Sequence, residues 1–492
     1  MPANRSLSFS RRVLASLLVG ACLVSVAHAQ TGRPRRGQPP AQPNQPAQTP
    51  AQTPGQPATP TQPAAQPGAT QPSTPTEPTV GTLIQHGNER EWTLTARVNV
   101  RAFFDQGIDR PASSPTPDQM PTIDRFRFDT LTLVWPVVPR TASSELAFDT
   151  PTGQAPTLRD FRFTVDDYDA THLREFSHEI LTSTAGGRPY HSGIWLALLK
   201  LGRGIDAREV DFEIVLPSRS WQTRFDERAA MAVQWPDGAW PAEAASTLEP
   251  MLYVDIGPDV NGRPQRFGDA EVRALLERWT QGKPPRSIPP VQFAKWIAGQ
   301  VVEHVQVSGA GLAANRNGLL EGVSLQTPGE TARTGIGSEF DMVVLLTALY
   351  RKAGLPARIV VGYDVEANSR DEPGFLQPGN SGRGELRAWV EFCLYDQASN
   401  TINWVPVDPA RIRRNSSRLP PNFMEPGRLR YFGEHDELDD VVPFAFQFHP
   451  PTTVRSYGSP GFWGWFVTPT APDRAWQAVS IRASTTPRRG GR

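Results

Sequence analysis

Lysine is nearly missing from this chain. Only Lys200, Lys283, Lys295 and Lys352 occur, so 46 of the 50 basic residues are arginine. Arginine keeps its charge in every environment and pairs bidentately with carboxylates. With 50 acidic residues to match, the expectation is many ion pairs. A formal net charge of zero excludes the chain-wide basic surface that drives nucleic-acid binding, so no nucleic-acid partner is expected. Long apolar runs are absent beyond the N-terminus, which excludes a polytopic membrane protein. Cysteine is scarcer still, with only Cys22 and Cys393. Histidine numbers eight, and none falls between His304 and His435.

The one apolar run, Val13 to Val26, follows Arg11-Arg12 and precedes Ala27-His28-Ala29-Gln30. A basic start, a short apolar stretch and an A-x-A end describe an export signal over residues 1–29, not a membrane span. Cleavage there leaves 47 basic against 50 acidic residues, about −3. Ser10-Arg11-Arg12 also fits a twin-arginine signal, and Val19-Gly20-Ala21-Cys22 a weak lipidation box, so a membrane partner is expected only if Cys22 is lipidated. Ordinary cleavage leaves Cys393 alone, which excludes an intrachain disulfide and a cysteine-based zinc site. The expected location is secreted or periplasmic, in the cell envelope.

Residues 30–80 repeat Pro, Gln, Ala and Thr, as in Gln45-Pro46-Ala47-Gln48-Thr49-Pro50, without an aromatic. Such a segment buries too little surface to offset its ordering entropy and stays extended. At ~3.1 Å per residue it reaches on the order of 150 Å. From 81 to 265 the signals are mostly β, with alternation at Trp92–Phe103, Phe126–Val134 and Val210–Leu216, which predicts an N-terminal β-sandwich domain. His172 and His178 read as ordinary histidines. Asp255, Asp259 and Asn261 resemble part of a calcium loop but lack the closing Glu, so they read as a turn and no metal or cofactor is expected.

Residues 266–435 read as α+β. A helix begins near Asp269 with Val272, Leu275, Leu276 and Trp279 on one face, and a second begins near Pro290 with Phe293, Trp296, Ile297 and Val301. A third is capped by Ser338 with Asp341 three residues on, carries Met342, Leu345, Leu346 and Leu349, and ends at Gly354-Leu355-Pro356. Strand-like runs follow at 359–363, 387–395 and 402–408. Residues 436–492 form an aromatic-rich C-terminal region, with Phe444-Ala-Phe-Gln-Phe and Phe462-Trp-Gly-Trp-Phe466 as late strands before a disordered end.

Five segments in order make the central region recognisable. Gly337-Ser338-Glu339-Phe340-Asp341, Arg351-Lys352-Ala353-Gly354-Leu355-Pro356-Ala357-Arg358, Gly362-Tyr363, Arg387-Ala388-Trp389-Val390-Glu391 and Trp404-Val405-Pro406-Val407-Asp408-Pro409 resemble the transglutaminase-like superfamily. The family patterns are G-x-C-x-D, R-x-x-G-[IL]-P-A-R, G-Y, H-A-W-x-E and W-x-P-x-D-P. The resemblance implies a papain-like α+β core over about 290–410 and a Cys-His-Asp triad, with a thiolate at a helix N-terminus activated by an imidazole.

Two of the three positions depart from the pattern. Glu339 stands at the nucleophile position and Arg387 at the histidine position; only Asp408 matches. A one-residue shift offers Ser338, still without a base. Strand geometry argues against Cys393 as a displaced nucleophile, because six strand residues place it about 20 Å from Arg387. A Glu339–Arg387–Asp408 network would preserve the minus–plus–minus pattern of the triad while being unable to attack a carbonyl. Trp389 and Trp404 are the expected substrate contacts. The expectation is a catalytically degenerate envelope module that binds a peptide or cell-wall glycan or serves as a scaffold. The alternative is an active transamidase or cysteine peptidase acting on protein amide bonds. A glycoside hydrolase built on Glu339 and Asp408 is disfavoured, since an intervening arginine keeps both carboxylates ionised.

Overall fold

The computed structural model describes residues 79–80, 83–102, 126–147, 158, 160–258, 264–309, 312–314, 320–323, 325–365, 385–416, 418–448, 455–457, 464–468 and 475–485. The expected export signal, Cys22 and nearly all of the expected linker lie outside the described residues. Among the described residues no helix is long and apolar enough to cross a membrane.

The sheet-rich part is built on β1 (Ile84–Ala102), β2 (Thr130–Val137), β3 (Asp160–Val165), β4 (Phe176–Leu181), β5 (Trp195–Leu201) and β6 (Glu209–Phe225). Period-two patterning decides which face is covered. On β6, Val210, Phe212, Ile214 and Leu216 are buried while Asp211 and Glu213 are not, and Trp92, Leu94, Ala96 and Val98 do the same on β1. Strands β1 and β6 pair antiparallel over nearly their whole length, and β3 flanks β6. A second sheet places β2 and β4 on either side of β5. The buried faces of both sheets belong to one apolar cluster. The run expected at 126–134 breaks at Asp129 into two strands, Phe126–Phe128 and β2, which belong to different sheets.

The helical part follows the sequence expectation closely. Helix α1 (Ala270–Thr280) buries Val272, Leu275 and Leu276. Helix α2 (Pro290–His304) starts with proline, whose missing N–H costs nothing in a first turn. Trp296 is only partly buried and stacks on Phe423 with ring centroids 6.1 Å apart. Helix α3 (Glu339–Lys352) is covered on nearly every side, from Phe340 to Arg351. Its capping box closes as the sequence predicts: Ser338 Oγ accepts from the Asp341 amide at 3.2 Å, and the Asp341 carboxylate accepts from the Ser338 amide at 2.7 Å.

Behind α3 lies a sheet of β7 (Ala357–Asp364), β8 (Glu385–Asp396), β9 (Thr401–Val407) and, after helix α4 (Pro409–Asn415), β10 (Val441–Ala445). The order is β9-β8-β7-β10, with Thr79–Val80 added in parallel on the outer edge of β9. All of β7 is buried, as expected of a central strand.

The C-terminal residues cross the boundary that composition alone suggests at 436. Strand β10 joins the core sheet, whereas β11 (Gly464–Thr468) pairs with β2 and β12 (Ala475–Thr485) pairs with β1 along eleven residues. Segments from the two ends of the described part of the chain therefore build the same sheets. Further stitching comes from the 431–440 segment, which bridges Thr223 of β6 at His435 and receives the Trp92 indole N–H on the Asp439 carbonyl at 3.0 Å.

Candidate functional site

Glu339 opens α3, where the helix dipole favours a negative charge. Its carboxylate is held by Arg414 of α4, with Nε and Nη2 each donating at 2.6 Å in a bidentate pair. The expected Glu339–Arg387–Asp408 network is thus corrected in one member: Glu339 turns to a partly exposed arginine that sequence patterning did not single out. Arg414 lies six positions after Asp408, within α4.

Arg387 and Asp408 do meet. Arg387 lies on β8 opposite Gly362 of β7, and Asp408 follows β9 as the N-cap of α4, accepting from the Arg411 amide at 2.9 Å. Arg387 Nη1 donates to Asp364 at 3.2 Å. Its Nη2 lies 3.4 Å from Asp408, 3.0 Å from Glu437 and 3.1 Å from Nε2 of His435. The Arg387 Nε is buried without a hydrogen-bond partner. Burial works against its charge, but Asp408, Asp364 and Glu437 outweigh burial and raise its pKa above the ordinary arginine value. This group cannot accept a proton.

His435 was not among the expected site residues, yet it is buried beside Asp408, with Nε2 3.3 Å from the carboxylate. Its other nitrogen, Nδ1, accepts from the Glu437 amide at 3.3 Å. That bond assigns the proton of the neutral ring to Nε2, facing Asp408. Burial lowers the His435 pKa, and Arg387 adds to the effect against the opposing pull of Asp408 and Glu437. Asp408 is driven down to about 2: burial would raise it, but the His435 hydrogen bond and the Arg387 charge prevail. An imidazole–carboxylate pair therefore exists here, but both ring nitrogens are engaged and the imidazole is not presented to a nucleophile.

Cys393 lies elsewhere, on β8 opposite Trp404, fully buried among Ala142, Ala244, Ile402 and Trp404. Burial, with Glu243 nearby, pushes its thiol far above the ordinary range despite the opposing Arg358 charge. The expected substrate contacts are core residues. Trp389 is fully buried and packs with Val360, Leu438 and Val441. Trp404 is 8% exposed, its indole N–H donates to Glu243 at 2.8 Å, and its ring is covered by the Arg358 guanidinium at 4.1 Å. Arg358 also lies 4.2 Å from the Phe446 ring and pairs with buried Glu391 through Nε and Nη2 at 3.0 and 2.9 Å. Large aromatics in these motifs are placed by packing, so their presence alone does not mark a groove.

The remaining sequence candidates resolve into structure. The Asp255 carboxylate accepts from the Met251 amide at 3.0 Å and from Arg351 at 2.7 Å, and Asp259 and Asn261 lie outside the described residues. His178 packs against Phe161 with ring centroids 4.2 Å apart, and His172 lies 3.6 Å from Asp169. Among the described residues, no group of three or more His, Cys, Asp or Glu is arranged to hold a metal ion.

Residues 273–409 match the family model described as the transglutaminase-like superfamily, so this part of the chain is a transglutaminase-like core. No curated protein matches the sequence. Among solved structures, one similar chain is a candidate cysteine protease from Cytophaga hutchinsonii, at 12% identity and a TM-score of 0.42, covering 82% of this chain and 93% of that one. Another is the periplasmic domain of TgpA from Pseudomonas aeruginosa bound to ethylmercury, at 14% identity and a TM-score of 0.23, covering 61% of this chain and 93% of that one.

The members that sequence reasoning missed, Asp364, His435 and Glu437, fall outside the five family motifs. One signal was available: Glu434-His435-Asp436-Glu437 is an acidic run carrying the first histidine after His304, shortly after the arginines at 411, 413, 414, 418, 428 and 430.

Proposed function

We propose that this is an exported protein of the cell envelope whose transglutaminase-like core has lost its thiol chemistry and acts as a peptide- or glycan-binding or scaffolding module. The sheet-rich part is read as a β-sandwich that carries the core, and the residues before it as an export signal and a tether. One observation carries the reading. The side chain in contact with Asp408 from the family's histidine position is Arg387, a permanently charged group that cannot activate a thiol. The nucleophile position is Glu339, whose carboxylate is committed to Arg414. Arg387 has no proton-accepting atom and Glu339 pairs with Arg414 rather than with Arg387, so the two positions do not support the proton traffic of a thiolate–imidazolium pair.

The test is incorporation of a labelled primary amine into a glutamine-containing protein, together with hydrolysis of a peptide library. The purified chain is expected to do neither, and Cys393→Ser is expected to change nothing. Amine incorporation or cleavage that disappears in Cys393→Ser would overturn the reading. A hydrolase using the His435–Asp408 pair is the second reading, favoured by their 3.3 Å contact, and it requires the Glu437 amide to release Nδ1. It predicts a hydrolytic activity that is lost in His435→Gln.

A further inference from the structure

The ligand chemistry of this site, taken as the binding module proposed above, is written in the way Glu437 is held. Glu437 comes from the irregular 431–440 segment rather than from the core sheet or its helices, and its carboxylate is gripped as a guest would be. Oε2 accepts from Arg387 Nη2 at 3.0 Å and pairs with Arg411 Nη2 at 3.0 Å, while Oε1 accepts from the Tyr431 hydroxyl at 3.0 Å. One anchor is dry and one is wet. The Arg387 side chain is 7% exposed, whereas those of Arg411 and Glu437 are 25% and 27% exposed, so the carboxylate lies at the rim of the cluster.

The donors keep contacts other than Glu437, Arg411 through Asp364 at 3.7 Å. Asp364 and Asp408 hold Arg387 from other directions, and the Asp408 amide donates to the Tyr431 carbonyl at 3.1 Å. Tyr431 has φ 64°, a left-handed conformation that a bulky residue adopts only where its surroundings impose it. That backbone directs its hydroxyl to Oε1.

We propose that Arg387, Arg411 and Tyr431 form a carboxylate-binding site, filled here by the chain's own Glu437, and that the partner is an acidic peptide whose carboxylate displaces it. A peptide fits because the present occupant is itself a glutamate on a stretch of irregular backbone. Without Glu437 the two arginines are balanced by Asp364 and Asp408, so recognition comes from charge-assisted hydrogen bonds rather than from a long-range field. The tethered carboxylate competes at high effective concentration, so the unaltered chain binds a lone carboxylate weakly.

The experiment titrates the full chain carrying Glu437→Ala with acetyl-glutamate amide, acetyl-glutamine amide and N-acetyl-alanine. At least one carboxylate ligand is expected to bind about tenfold or more tighter than the glutamine amide, and about tenfold or more tighter than it binds the wild-type chain. Whichever carboxylate ligand binds better identifies a side chain or a C-terminus as the source. Adding Arg411→Gln is expected to abolish the preference. Equal binding of carboxylate and amide, or a preference that survives Arg411→Gln, overturns the proposal. Should Glu437→Ala be too unstable to titrate, its Tm is read instead: acetate raises it over acetamide at equal ionic strength, and equal effects overturn the proposal. Neither result bears on whether the wild-type chain has transamidase or peptidase activity, so the two readings fail separately.

Discussion

Glu339 and Arg387 stand at two positions of one family pattern, and their surroundings give them opposite weight. The Glu339–Arg414 pair is 29% and 47% exposed, and such pairs contribute ~0–1 kcal/mol. Glu339→Gln is therefore expected to shift the denaturation midpoint by less than the equivalent of about 1 kcal/mol. Arg387 is buried against Asp364, Asp408 and His435, and removing one partner of a buried charge cluster costs ~3–5 kcal/mol. Arg387→Ala should lower chemical-denaturation stability by about that amount. A loss below about 1 kcal/mol would mean that the cluster is solvated rather than structural.

The same residues set a pH dependence. His435 has a folded pKa below its ordinary 6.5, so below that value the unfolded chain binds more protons and stability falls with falling pH. His191, held at about 4 by burial and by Arg351, acts in the same direction between 6.5 and 4. Asp408, at about 2 in the fold, contributes stability above its ordinary 3.8 that is lost as pH falls from there toward 2. Thermal unfolding followed from pH 7 to pH 5 is expected to show a falling Tm, and His435→Gln should make the fall shallower, leaving the His191 contribution. A Tm unchanged across that range would contradict the buried, neutral imidazole.

At the scale of elements, α3 is the piece on which the core is assembled. Ser338→Ala removes its N-cap and one half of the capping box, and should cost ~0.5–2 kcal/mol, measurable by denaturant titration. This element was legible in the sequence down to its cap, because Ser338, Asp341 and the stripe from Met342 to Leu349 all point the same way. The strands at 357–364, 385–396 and 401–407 were legible too, through β-branched and aromatic runs bounded by turn residues. What could not be read was a contact between segments far apart in the chain. His435 reaches Asp408 from a short irregular segment whose conformation depends on Thr223 and Gly433, not on any local period. Glu339 was legible as a helix start but not as the partner of Arg414, since charge alone does not say which arginine a carboxylate will choose. Trp389 and Trp404 were expected as substrate contacts. Packing against Val360 and beneath Arg358 shows that these rings fill the core.

For the molecule as a whole, the N-terminal sheets are completed from the far end of the chain. Strand β12 lies along β1 from Trp92 to Ala102, and β11 lies along β2. Truncation after Phe448 is expected to expose two long edges and to yield an aggregated or unfolded product, monitored by sedimentation and circular dichroism. A monomeric product with native stability would contradict the role of these strands. Arginine in place of lysine makes sense at this scale. Arg90 reaches Asp439 and Asp440, Arg351 reaches the Thr247 and Glu249 carbonyls and Asp255, and Arg358 reaches the Ser192 and Arg140 carbonyls. Each uses several donors of one planar group to tie segments distant in sequence.

The most direct measurement of the central claim is alkylation of Cys393 in the native chain, followed by mass spectrometry with and without denaturant. A fully buried thiol with its pKa pushed far up should stay unmodified until the chain unfolds. Rapid stoichiometric modification of the folded chain near neutral pH, slowed by substitution of His435 or Asp408, would show a working thiol nucleophile and contradict the account.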